Sequence, residues 1–255
     1  MPISLKTQVE ETGTDIYDAE VGVGFGYGLH DYSSDLPASL LSNDEIGNEC
    51  GSFLDGTGSG VYLQGLIVYR ILPSLKAEIS LGYTDRSGSI KFRCVDPAGI
   101  RMPDGSVTDA LTDHVLTLDL TSFQASAMLW GKPFRLPLRF GVGGGLTTNT
   151  MHSFRLHEEV VAPGNAEFVS GGQVREYSVG ELPVSISSAM KFGLSYDLRA
   201  GSTLLLRPVV SVDVPVMDEI TNGRLRVTSF QFGLRFLKEF ILFGPDDSSP
   251  LTPSD

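Results

Sequence analysis

The sequence predicts an all-β chain: a closed, antiparallel transmembrane β-barrel of about eight strands, with short periplasmic turns and long extracellular loops. Three observations carry this. Apolar residues recur at every second position in eight separate segments, the period at which strand side chains alternate between faces. The connections between those segments alternate long and short. The 255 residues include 29 Gly spread along a chain rich in Val, Leu, Phe and Thr, a composition that favours strands over long helices. No run approaches the roughly 18 to 20 apolar residues of a membrane-spanning helix. One domain is expected, since barrels reach this size without splitting: an extension over 1–16, a barrel over 17–240 and a tail over 241–255.

The segments follow in order. In 20–30, Val21, Val23, Phe25, Tyr27 and Leu29 alternate with Glu20, four glycines and His30. Residues 59–71 alternate less cleanly, with Val61, Leu63, Ile67, Tyr69 and Ile71 on one face. Residues 75–86 set Leu75, Ala77, Ile79, Leu81 and Tyr83 against Lys76, Glu78, Ser80, Gly82, Thr84 and Arg86. In 114–130 the apolar set changes parity, from Leu116, Leu118 and Leu120 to Phe123, Ala125, Ala127 and Leu129. A β-bulge near Thr121 and Ser122 is the expected cause. Residues 135–149, 184–198 and 203–216 repeat the alternation, and the last strand sets Phe230, Phe232, Leu234 and Phe236 against Ser229, Gln231, Gly233 and Arg235.

Alternation alone also fits a soluble sandwich with its apolar face inward. The connections separate the two. Long ones cover 31–58, 87–113 and 150–183, and short ones fall near 72–74, 131–134 and 200–202, the asymmetry of outer-membrane barrels. Aromatic residues collect at both ends of the strands, as membrane interfaces favour: Tyr69, Trp130, Phe134, Tyr196 and Phe236 near the short turns, Tyr27 and Tyr83 near the long loops.

The strand VGVGFGYGLHDY, the pair GSGVYLQGLIVYRI and LPSLKAEISLGYTDRSG with its tight turn, and the closing FQFGLRFLKEF resemble small outer-membrane β-barrel proteins of the OmpA-transmembrane type. They are most similar to the versions found in Bacteroidetes and Chlorobi. The resemblance covers roughly residues 17–240 as a pattern without a signature motif. It implies a place in the outer membrane, with outer-membrane lipid and the barrel-assembly machinery as partners. The long loops would be open to other envelope proteins. Phe236 and Phe240 would supply the aromatic assembly signal of the terminal strand. The tail PDDSSPLTPSD resembles a linker to a further domain. The opening MPISLKTQVEETGTDIYD has no apolar h-region and is not a secretory signal, so export is expected to have used a leader outside this sequence.

Charged residues on the inferred inner face are Glu20, Lys76, Glu78, Arg86, Arg135, Arg139, Lys191, Asp197, Arg207, Asp213 and Arg235. Unpaired buried charges are costly, so these are expected to pair and fill the lumen. The Gly22, Gly24, Gly26, Gly28 run and Gly141–Gly145 lack phosphate-loop spacing and read as small residues inside a narrow barrel. His30, His114, His152 and His157 are too scattered for a spacing-defined metal site. Asp113 and His114 invite a catalytic dyad, yet no third group is placed to orient it. No cofactor and no enzyme activity are expected. The formal net charge of −12 argues against nucleic acid, which needs clustered Lys and Arg. Cys50 and Cys94 fall in the first two long loops, where an oxidising compartment would favour a disulfide. Two alternatives stay open: a soluble lipocalin-like barrel holding an apolar ligand, and an outer-membrane barrel enzyme acting on lipid or peptide.

Overall fold

The structure, a computed structural model, describes residues 18–37, 52–93, 98–133, 137–221 and 223–241. They form strands only: β1 Ala19–Pro37, β2 Ser52–Leu72, β3 Leu75–Asp85, β4 Gly88–Arg93, β5 Ala98–Arg101, β6 Val107–Gly131, β7 Leu138–Ala162, β8 Val174–Glu181, β9 Ser187–Tyr196, β10 Leu198–Arg199, β11 Leu204–Pro215 and β12 Leu225–Phe240. Eight of them close a ring in the order β1, β2, β3, β6, β7, β9, β11, β12. All the ring pairs are antiparallel, and β12 returns to β1 from Ala19 opposite Phe240 to Ser34 opposite Leu225. Closure satisfies the backbone of every strand and leaves no sheet edge in this zone.

The polarity of the wall is inverted relative to a soluble protein. Val21, Val23, Phe25, Tyr27 and Leu29 of β1 are exposed, while Glu20 and His30 are buried. The same holds on β3, β7, β9 and β12, where Leu81, Val142, Phe192 and Phe232 face out and Glu78, Arg139, Lys191 and Arg235 face in; on β2 Leu63 faces out, while Leu66 and Val68 face in and cluster with Leu205 and Leu237. Nine residues from Val21 to Leu29, at about 3.3 Å per residue and a tilt near 40°, stand about 23 Å tall. A transmembrane barrel needs an apolar band of about that height.

The long connections are largely strand, which corrects their reading as loops. β6 and β7 each run 25 residues, about 60 Å at the same tilt, so more than half of each stands beyond the band. There the wall regains ordinary polarity. Tyr32, Leu36, Phe53, Ile90, Leu116, Leu118, Leu120, Leu156, Leu182, Ile220, Leu225 and Val227 form a buried apolar core inside the extension.

This change explains the parity switch in 114–130 and relocates the bulge. In β6 the even residues face inward on both sides of Ser122. The apolar set changes faces because the strand crosses from lipid to water, where apolar residues belong inside. The extra residue lies on β7 instead. The register steps from Thr121 opposite Met151 to Ser122 opposite Asn149, leaving Thr150 unmatched, and β7 turns its inward set from odd residues to even ones there.

Trp130 is the second correction. It is buried in the lumen, not in an outer aromatic belt, and its ring lies over Gly141 and Gly193. A Cβ at either would come within 2.7 Å of the indole, so glycine is required at both. Tyr69, Tyr196 and Phe236 face outward near the short turns, as do Tyr27 and Tyr83 farther along the band. Phe134 lies outside the described residues.

Candidate functional site

Inside the band, inward positions from six strands build a ladder of ion pairs. Near the short-turn end Arg207 of β11, itself 1% exposed, donates to Glu20 of β1 at 2.8 Å and to Asp197 at 2.6 Å. Asp197 also accepts from Arg139 of β7 at 2.6 Å, and Lys76 of β3 pairs with Glu20. One level up, Arg235 of β12 donates to Glu78 at 2.6 Å and lies 5.3 Å from the centre of the Trp130 ring. Lys191 of β9 reaches Asp213 of β11 at 3.0 Å, and Gln124 donates to the same carboxylate at 3.0 Å.

A third level closes the ladder. Arg86, just past β3, makes a two-pronged bond to Glu219 at 2.5 and 2.9 Å and donates to Asn149 at 2.7 Å. Glu219 was absent from the residues singled out in the sequence. It sits on the β11–β12 connection, whose register nothing in the alternation specifies. His30 bonds Ser229 at 2.9 Å and the Asp85 carbonyl at 3.0 Å beside it. The space left amid Arg86, Ser122, Gln124, Asp213, Glu219 and Gln231 is a cavity of about 20 Å³, room for about one water molecule. Above it begins the apolar core of the extension. Ion pairs, Trp130 and that core occupy the described lumen.

Of the inner-face charges inferred from sequence, Glu20, Glu78, Arg86, Arg139, Lys191, Arg207, Asp213 and Arg235 are buried, and Lys76 and Asp197 nearly so. Arg135 lies outside the described residues, as do Cys50 and Cys94. Phe236 and Phe240 face outward near the end of β12.

A second polar cluster lies in the extension. His114 of β6 stacks between Phe92 of β4 and Tyr177 of β8, with ring centres 5.1 and 5.8 Å apart. Arg175 covers Tyr177 at 4.6 Å and Phe168 at 5.0 Å. Buried Glu158 of β7 accepts from Tyr177 at 2.6 Å and Arg175 at 2.9 Å, and lies 3.7 Å from His114 Nε2. Burial holds the His114 pKa below its ordinary value against the pull of Glu158. Burial pushes Glu158 up, but the neighbouring Thr112 hydroxyl, the hydrogen bond from Tyr177 and the nearby His114 and Arg175 outweigh it and hold the carboxyl below its ordinary value. Burial and the bond to Glu158 raise the Tyr177 hydroxyl to about 12.

Asp113 and His114 do not form a dyad. Neighbours along a strand point to opposite faces, so Asp113 pairs with Arg93 outside at 2.8 Å while His114 turns inward. His152, His157, Glu158 and Glu159 belong to β7, not to a loop. Among the described residues no group of His, Cys, Asp and Glu could hold a metal ion.

No family model matches the chain, and no curated protein does. Among solved structures it is similar to Neisserial surface protein A, at 13% identity over 87% of this chain and 97% of that one, with a TM-score of 0.40. It is similar to the outer membrane protein OprG of Pseudomonas aeruginosa at 9% identity over 87% and 96%, with a TM-score of 0.40. It is also similar to the attachment invasion locus protein Ail of Yersinia pestis, solved with the heparin analogue sucrose octasulfate, at 11% identity over 86% and 99%, with a TM-score of 0.33. The class of this fold, a transmembrane β-barrel, rests on ring closure and on the inverted polarity of its own wall.

Proposed function

We propose that the chain is an outer-membrane barrel with a structural, anchoring or surface-binding role, non-catalytic and sealed by its own side chains. It would carry a rigid β-walled extension on the long-loop side, outside the cell. The observation that supports this is the double inversion of polarity. Over one zone apolar residues face out and paired charges face in; over the next, apolar residues fill the interior. Only a wall passing from lipid into water is stabilised by both. The ladder works as a rigid plug, since each charge is held by a partner and losing one strands the other.

Outer-membrane lipid is then the first partner. Phe236 and Phe240, on the lipid face near the end of β12, would present the aromatic terminus to the assembly machinery. The exposed face of the extension is the surface open to other envelope proteins. A lipocalin-like role is disfavoured by the charged, filled interior and the apolar exterior.

Membrane fractionation with heat-modifiable migration in detergent gels tests the reading. The barrel should sediment with outer membranes and run faster unboiled than boiled. A protein that stays soluble and monodisperse without detergent would end it.

A further inference from the structure

On the outer wall of the extension, just beyond the lipid-facing band, three adjacent strands form a shallow depression of about 470 Å³. It lies where β4 continues β3 between β2 and β6 after an interruption at Arg86 and Ser87. Thr57 and Ser59 of β2, Ser89 of β4, and Thr117 and Asp119 of β6 line it. The wall behind is thin. Gly58 and Gly88 stand opposite each other, and the Tyr32 ring lies so close inside that a Cβ on Gly88 would come within 2.6 Å of it. The Tyr32 hydroxyl donates to the Arg86 carbonyl, so the floor is braced from within.

Height argues for the occupant. The unbroken lipid-facing apolar rows on these strands end at Val61, Tyr83 and Phe123; the next exposed apolar residues, Leu54 on β2 and Leu111 and Val107 on β6, stand seven or more residues farther out. Ser59 and Thr57 lie two and four residues beyond Val61, as Thr121 and Asp119 lie beyond Phe123. At about 3.3 Å per residue and a 40° tilt, these positions are about 5 to 10 Å above the edge of the hydrocarbon, within and just above a headgroup layer about 5 to 8 Å deep. The depression therefore continues the lipid interface into its polar zone.

Chemistry narrows the class. The lining offers hydroxyls as donors and acceptors and the Asp119 carboxylate as an acceptor, with no Lys or Arg, the residues that recognise phosphate. Lys91, on the same strand, is tied to Glu159 at 2.8 Å. We propose that the depression seats the saccharide headgroup of an outer-leaflet glycolipid through its sugar hydroxyls, an inference that rests on the outer-membrane reading above.

The test uses the full chain in vesicles of phospholipid with lipopolysaccharide. A photo-crosslinking residue is placed singly at Ser59, at Thr228, which lies two residues beyond Phe230 as Ser59 lies beyond Val61, or at Phe232 in the band. Ser59 should capture lipopolysaccharide several-fold more than Thr228, and Thr57→Trp, which fills the depression, should remove the excess. Equal capture at Ser59 and Thr228, or an excess that survives Thr57→Trp, would overturn the site. Failure of Phe232 to capture any lipid would instead overturn the membrane placement beneath it.

Discussion

Placing an arginine at outward positions along one wall converts the polarity map into a stability profile. Phe232 of β12 lies between Tyr27 and Val210 in register and is 47% exposed. About half of a phenyl side chain of roughly 200 Å² is therefore presented to lipid, worth about 2 kcal/mol at 25 cal/mol per Å². Substituting an arginine on the lipid face near the bilayer midplane costs about 2 to 4 kcal/mol in all, so Phe232→Arg should destabilise by about that much, with the lost phenyl contact a large part of it. Val179 of β8 is more exposed, at 67%, but stands on the extension in water, and Val179→Arg should stay within about 0.5 kcal/mol. Leu118→Arg, inward on the same extension, should unfold it, because it puts an unpaired charge in a dry core. Denaturant unfolding in phospholipid vesicles measures all three, with the fluorescence of Trp130, the one tryptophan, as the readout. If Phe232→Arg is silent while Val179→Arg is strongly destabilising, the band has been put at the wrong height. If both are silent, the wall does not meet lipid.

The remaining predictions concern the lumen, the cysteines and the extension. Planar-bilayer recordings should show no large steady conductance, because the ladder and the apolar core fill the lumen; a stable porin-sized current would refute the plug. Cys50 and Cys94 should be bridged in exported protein, and two free thiols on labelling the denatured, unreduced chain would refute this. Closing a loop of about 45 residues would stabilise by a few kcal/mol. The Glu158 cluster should loosen in acid. His114 has a folded pKa below its ordinary 6.5, so stability falls as pH drops below 6.5 until the folded pKa is passed. Glu158, below its ordinary 4.5, contributes fully above 4.5 and is lost as pH falls through its folded pKa. Amide exchange across β8, corrected for the intrinsic pH effect, should quicken from pH 7 to pH 5 in the native chain and less in His114→Gln. Unchanged protection in the native chain would show that the cluster is not coupled to β8.

The barrel and the facing of its band were legible in the residues because lipid and lumen impose a strict two-residue rule. Val21 to Leu29 and Phe230 to Phe236 obey it without help from distant parts of the chain. The place of Trp130 was legible too, since it shares the parity of Ser126 and Met128; residue type was given more weight than parity there. The long connections hid their strands because polarity reverses at the membrane boundary, and the unmatched Thr150 shifts the inward set of β7 at that same level. Alternation read with one sign therefore holds in the band and fails beyond the crossing. Partner choice lay beyond the sequence altogether. Arg86 meets Glu219 133 residues away, and His114 meets Glu158 only because β6 and β7 pair in one register out of many. Alternation determines which face a side chain takes, a local property of the backbone. Which charges meet across the lumen depends on ring closure and stagger, and those exist only once every strand is in place.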